Sequence, residues 1–255
     1  MRPMNVSLYQ AAAAMEGNLL RQQVIAENLA ASSVPGFKKR DMAFSAVSAD
    51  MFKDPSQPVD KTQLQFMFPS FQHTVNFSQG SLLNTGVPTD LSIDGPGFFA
   101  VEGPNGQTLY TRDGALRLNN EGQLITKDGF PVLGENGPIT IPAGTDLSAL
   151  TVSSTGEVFA GAEELGSLQL ANFDDPTKLL PFGAGYYDGG TANPQAIDPK
   201  ETTISQGYTE VANTTPMVEM SQLLGTLRHF EANQRIMKMQ DENMGKMIRE
   251  LAGND

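Results

Sequence analysis

The sequence predicts an α+β fold, in which an all-β central domain is flanked by long N- and C-terminal amphipathic helices that pair in a coiled-coil-like manner. Three observations predict it. Apolar residues recur at three- and four-residue steps at each end of the chain, which is the spacing of a helical seam. The middle is cut into short β-type runs by turns, with 25 Gly and 16 Pro among 255 residues. A lone narrow seam is only marginally stable in water, so the two ends are expected to pair with each other, with other copies, or with both.

The first helix is expected over about Asn5 to Ala31, where Leu8, Ala12, Met15, Leu19, Gln22, Ala26 and Leu29 follow a 4-3-4-3-4-3 spacing. Ser7 and Gln10 have the spacing of a capping box, and Pro35-Gly36 stops the helix. Residues 37–90 read as a linker or extended connection, with Asp54–Asp60 as linker and Gln63–Phe77 as strand or arm.

Residues 91–205 form the β-rich domain. Its runs are Leu91–Ile93, Phe98–Val101, Thr108–Thr111, Ala115–Leu118, Gln123–Thr126 and Pro131–Leu133, then Ile139–Ile141, Leu150–Val152, Val158–Ala160, Leu168–Phe173 and Thr202–Ser205. Turns such as Asp113-Gly114, Glu121-Gly122 and Asp128-Gly129 separate them, and Gly183–Gly190 reads as a looser loop. Residues 206–255 hold the second helix. Thr215 is its N-cap, Pro216 its first residue, and Gly253 its end. Its seam runs Met220, Leu223, Leu227, Phe230, Gln234, Met237, Asp241, Met244, Ile248 and Leu251.

Composition narrows the function. With no Cys, disulfides and Cys-based metal sites are excluded. The net charge is −12, and residues 41–210 alone carry −14, which argues against a nucleic-acid partner. No apolar run approaches the ~20 residues of a membrane span, and the first residues lack the apolar core of a secretory signal. His73 and His229, far apart, read as ordinary polar side chains, and Asp94, Asp113 and Asp128 are accounted for by turns. The charges of Phe37–Arg40 read as a solvated helix exit. No catalytic, cofactor-binding or metal-binding residues stand out, and no site for a small-molecule substrate does either, so the expectation is a protein that is not an enzyme.

Three blocks carry a resemblance. The stretch Ala26-Glu27-Asn28-Leu29-Ala30-Ala31-Ser32-Ser33-Val34-Pro35-Gly36-Phe37-Lys38 resembles the N-terminal signature of bacterial flagellar rod and hook proteins, matching at Asn28, Leu29, Ala30, Gly36, Phe37 and Lys38. Glu27, Ala31 and Val34 depart from it. The middle block comprises Leu91-Ser92-Ile93-Asp94-Gly95-Pro96-Gly97-Phe98-Phe99 and Tyr110-Thr111-Arg112-Asp113-Gly114. The last contains Gln206-Gly207, Glu210, Asn213, Pro216 and Val218-Glu219-Met220. The Asp241-Glu242-Asn243 ending is most like that of the proximal rod subunit, with distal-rod and hook-type subunits as alternatives and a secreted coiled-coil fibre behind them.

The resemblance implies a structural subunit of the flagellar basal body that spans the periplasm and transmits torque. Residues 1–36 and 206–255 would form an inner tube, and residues 91–205 an outer layer. The implied partners are copies of itself, other axial subunits and the flagellar type III export apparatus. The expected assembly interface is Leu8, Met15, Leu19, Asn28 and Leu29 on the first helix, with Met220, Leu223, Leu227, Phe230, Met237, Met244 and Ile248 on the second.

Overall fold

The computed structural model describes residues 4–48, 67–195, 197 and 201–253. Asp54–Asp60 lies outside the described residues, as do the side chains of Leu8 and Leu251. The chain opens with α1 (Met4–Ala30) and ends with α2 (Pro216–Ala252). Between them run β1 (Arg40–Ser48), β2 (Met67–Val75), β3 (Leu82–Asn84), β4 (Leu91–Asp94), β5 (Phe98–Glu102) and β6 (Thr108–Thr111). Next come β7 (Arg117–Leu118), β8 (Leu124–Ile125), β9 (Leu133–Gly134), β10 (Gly137–Pro138), β11 (Leu150–Val152) and β12 (Glu157–Ala160). The series closes with β13 (Glu163–Ser167), β14 (Leu170–Ala171), β15 (Leu180–Pro181), β16 (Tyr186–Asp188), β17 (Thr203–Gln206) and β18 (Tyr208–Glu210).

The chain divides into two units. One comprises residues 1–29, 40–74 and 216–255, which hold α1, the β1–β2 ribbon and α2. The other comprises residues 30–39 and 75–215, which hold all remaining strands.

The second unit is centred on a five-stranded sheet of order β14-β5-β6-β16-β15. Alternation along its central strands builds two cores. Phe99, Val101, Leu109 and Tyr186 face a core with Leu91, Ile93, Leu124, Val132, Val158 and Ile204. Phe98, Ala100, Tyr110 and Tyr187 face a second core with Phe173 and Leu179. A strand buried on both faces needs an unbroken apolar run, which is why Phe98-Phe99-Ala100-Val101 lacks a polar alternation. The aromatic rings meet edge-on, Tyr110 with Phe173 at 4.8 Å and Phe77 with Phe98 at 5.7 Å between centroids.

The expected fold class needs correction. Strands do not stay within a central domain: β1 begins at Arg40, ten residues after α1 ends, and β1, β2, β3 and β18 all lie outside residues 91–205. The two helices, α1 of 27 residues and α2 of 37, are not the arms of a coiled coil, because their expected seams do not bury one another. Leu19 on α1 and Met220, Leu227 and Ile248 on α2 are exposed.

The face that α1 does cover is a different one. Ala13, Gly17, Leu20, Val24 and Asn28 recur at 4-3-4-4 steps, with Ile25 beside them, and among the described side chains of α1 the fully buried ones, Gly17, Val24, Ile25 and Asn28, all lie here. Of the expected stripe, Ala12, Leu19 and Ala26 are exposed, while Met15, Gln22 and Leu29 are half-buried. With Ala11-Ala12-Ala13-Ala14-Met15 placing apolar side chains around the whole circumference, spacing alone could not choose between the faces. Ser7 does not cap the helix either, since α1 is already helical at Met4.

Gly183–Gly190 is likewise not a loose loop. It contains β16, an interior strand of the main sheet, with Tyr186 opposite Thr111 and Tyr187 opposite Tyr110. Among the described residues, no helix is long and apolar enough to cross a membrane.

Candidate functional site

The three sequence blocks that carry the resemblance converge in space, and they do so around one carboxylate. Glu210, the last residue of β18, is 1% exposed, as is Lys38. Glu210 Oε1 accepts from Lys38 Nζ at 2.5 Å and from the Gly80 amide at 2.7 Å. Its Oε2 accepts from Arg112 Nη1 at 3.3 Å, and its backbone carbonyl accepts from the Gly36 amide at 2.7 Å.

The two cations are held on their other sides by main-chain oxygens. Lys38 Nζ also donates to Ser78 O at 2.8 Å, while Arg112 donates to Ile93 O at 3.3 Å and Gly95 O at 2.7 Å. The guanidinium also lies 5.3 Å above the centre of the Phe98 ring, a cation–π contact. Burial pushes the Lys38 ammonium below its ordinary pKa, the Glu210 carboxylate pulls it back up, and Arg112 adds to the lowering.

Local chemistry explains how the backbone reaches this point. Gly36 adopts φ +67°, and a Cβ there would sit 2.2 Å from the carbonyl carbon of Arg112, so only glycine fits. Phe37 then plugs a small core of Ala31 and Ala212, with Val34 against it. Asn213 ties off the remaining main-chain groups. Its Oδ1 accepts from Lys39 N at 2.6 Å, its Nδ2 donates to Asn76 O at 2.8 Å, and its amide donates to Phe37 O at 3.2 Å. Residues 36–39 and 210–213, between which 170 residues intervene, are thus fastened side by side in the β unit.

A second clasp lies in the other unit. Asn28 is buried and binds Arg40 through both ends of its amide, donating to Arg40 O at 2.8 Å and accepting from Arg40 N at 2.9 Å. The Arg40 guanidinium reaches Glu27 at 2.9 Å. The last turn of α1 is thereby joined to the start of β1.

Eleven of the twelve residues expected at an assembly interface fall into three sets. Leu19, Met220, Leu227 and Ile248 are exposed. Met15, Leu29, Leu223, Phe230, Met237 and Met244 are half-buried. Asn28 is buried in its clasp, and the Leu8 side chain is outside the described residues. On α2 the half-buried Leu223, Phe230, Met237 and Met244 follow one another at seven-residue steps along one face. A separate stripe of Met217, Met220, Leu224 and Leu227 is 79, 54, 57 and 41% exposed. At 3.6 residues per turn it lies about a third of the way round the helix from the first.

Sequence reasoning missed the ionic junction itself. Lys38 was expected in solvent, and Arg112 and Glu210 had no assigned role beyond the resemblance. The signal that could have found them was the distribution of the three blocks: charged residues of both signs, each beside a glycine or a turn. Among the described residues, no group of three or more His, Cys, Asp or Glu is placed to hold a metal ion.

Comparison with known proteins gives this arrangement a family. Residues 92–160 match the flagellar hook protein FlgE/F/G D1 domain, and residues 205–250 match the C-terminal region of flagellar basal body rod FlgEFG proteins. The chain is 34% identical to the flagellar basal-body rod protein FlgF of Caulobacter vibrioides, over 84% of each chain. It is 31% identical to FlgF of Mesorhizobium japonicum over 97% of this chain and 98% of that one. It is 28% identical to the rod protein FlgG of Buchnera aphidicola over 94% and 98% respectively.

The class is that of the structural proteins of the bacterial flagellum. Within it, the chain belongs to the flagellar basal-body rod protein family and is a structural subunit of the rod. Proteins of this family reside in the flagellar basal body and assemble with other axial components.

Proposed function

We propose that the subunit polymerises into the torque-transmitting rod through the uncovered apolar faces of its terminal helices, with the β unit facing outward. The observation that carries this reading is the stripe Met217, Met220, Leu224 and Leu227 on α2, large apolar side chains aligned on one face and open to solvent. Leu19, between the small residues Ala12 and Ala26, gives α1 a shallower uncovered face of its own. Four large side chains left uncovered on one helix are unfavourable unless another surface covers them, and each is worth roughly 1.5–3 kcal/mol once fully buried. Thioethers repack readily between slightly different neighbours, which suits a stripe that is half methionine.

The partners in this reading are copies of the chain and other rod or hook subunits, and delivery is by the flagellar type III export apparatus. The subtype is the proximal rod, on the strength of the Asp241-Glu242-Asn243 ending. The test replaces Leu224 and Leu227 together by Asp in a strain lacking the wild-type copy. The double variant is expected to remain soluble and folded while giving no rods in electron micrographs of purified basal bodies. Normal rods from that variant would refute the helix-face reading, and labelling the chain in the same preparations would locate it along the rod.

A further inference from the structure

Glu210 is contributed by the lead into α2, and each of its partners comes from a segment distant in sequence. Lys38 and Gly36 belong to the stretch that follows α1, Gly80 precedes β3, and Arg112 follows β6. None of these residues belongs to the main apolar core, which is assembled from Leu91 to Ile204. The core can therefore form with the junction open.

The charge balance makes the closed state depend on one group. Two buried cations share a single carboxylate, and Arg112 and Lys38 are close enough to disfavour each other's charge. Without the Glu210 carboxylate, Lys38 keeps only the Ser78 carbonyl, while Arg112 keeps the carbonyls of Ile93 and Gly95, the Phe98 ring and the nearby charge of Asp94. Asp94 still favours the charge of Arg112, whereas Lys38 is left with no carboxylate, so the like-charge pressure drives the mobile Lys38 out to water. Lys38 is the mobile one, because Arg112 is anchored at three points and Lys38 at the end of a flexible stem. Its departure carries off Phe37 and Lys39, and with them both main-chain contacts to Asn213.

We propose that Glu210, Lys38 and Arg112 form a latch that makes the subunit competent for assembly only when the segment after α1 and the segment before α2 are both docked on the β unit. The latch closes when residues 36–39 and 206–213 have both arrived, and it opens at both segments together. This rests on the reading that the terminal helices carry the assembly contacts, since an open latch leaves the two points at which the chain departs for those helices unfixed.

The test uses the full-length chain with Glu210→Gln, and with Lys38→Met/Glu210→Gln as the second variant. Amide hydrogen exchange is read at residues 36–40, 76–80 and 210–214 against the strands β5, β6 and β16, beside motility and basal-body assembly in cells. Glu210→Gln is expected to speed exchange at the three junction segments by on the order of tenfold or more while the sheet is unchanged, and to abolish rods. The double variant, with the mobile charge gone, is expected to recover much of both.

Unchanged junction exchange in Glu210→Gln overturns the proposal, as does loosening of the sheet in step with the junction. No recovery in the double variant overturns it too, because like-charge pressure would then not be what opens the latch. An open latch with normal rods overturns its link to assembly while leaving the helix-face reading intact. Failure of that reading is reported separately, by normal rods from the Leu224→Asp/Leu227→Asp variant.

Discussion

Asp113 has a side chain with two unlike oxygens. Its Oδ1 accepts the Ala115 amide at 3.1 Å, as a turn residue does, while its Oδ2 is buried and lies 3.3 Å from Lys127 Nζ. Burial holds its pKa above the usual carboxylate value, outweighing the downward pull of the Ala115 amide and of Lys127. A carboxyl with a raised folded pKa costs stability where it is ionised, and that cost fades as pH falls through the folded pKa. Asp113→Asn keeps the acceptor for Ala115 and cannot titrate. The wild type is therefore expected to gain in Tm relative to Asp113→Asn as pH falls from 7 toward 4. A gap between the two Tm curves that stays constant over that range would show that Asp113 titrates as it does in the unfolded chain. The turn at Asp113-Gly114 was legible in the sequence because its chemistry is local. Lys38 was not legible, because its burial is set by a carboxylate 172 positions away. Removing one partner of such a buried pair costs about 3–5 kcal/mol, so a position that looks like a solvated charge is among the most sensitive in the chain.

At the scale of elements, legibility followed how strictly the pattern constrained the answer. The start of α2 at Pro216 was readable from Thr215 and Pro216, and its end from Gly253, whose amide bonds to Arg249 O at 2.9 Å. Strand β6 was readable to the residue because apolar runs and turn glycines leave one choice. Strand β16 was missed because Gly183, Gly185, Gly189 and Gly190 surround it, although its two tyrosines are what the sheet buries. Strand β13 was missed because its Glu163 and Glu164 are exposed on an edge of the β11-β12-β13 sheet, where charge is tolerated and discourages further pairing. On α2 the sequence merged two stripes into one seam, since Met220, Leu223, Leu227 and Phe230 all fit three- and four-residue steps. Leu227→Asp and Phe230→Asp are therefore expected to differ. Leu227 is exposed, so its change should leave thermal unfolding of the soluble subunit within about 0.5 kcal/mol and act on assembly alone. Phe230 is half-buried, and a charge there should also lower the subunit's own stability, by about 1–3 kcal/mol. Equal unfolding curves for the two variants would mean that the stripes are not distinct.

For the whole molecule, the two units are stabilised in different ways. The β unit has two large apolar cores and the small one around Phe37, the ionic latch and the Asn213 ties, all within one body. The helices are less well covered. The outer positions Leu224, Ile236 and Met247 on α2 are exposed, and so are Met217 and Met239. Ile25, which the seam would have placed outward, is instead buried, so α1 is anchored near its end by Val24, Ile25 and the Asn28 clasp and is more open at Ala12 and Leu19. An isolated helix with one half-covered face is held by little more than its own marginal stability, and the remaining gain comes only when neighbouring subunits cover the rest. Ordering of the helices and polymerisation are therefore expected to be coupled. Limited proteolysis of the dilute monomer should cut within α2 first and then in the N-terminal part of α1, leaving a fragment close to residues 30–215. Hydrogen exchange should be slowest in β5, β6 and β16 and fastest at Met217–Leu227 and Ile236–Met247, with protection of α2 rising as subunits assemble. The expected order along α1 is protection that increases from Ala12 toward Asn28. Full protection of both helices in a sample shown by light scattering to be monomeric would mean that they are stabilised within the subunit, and that the exposed stripes only select partners and do not drive their own ordering.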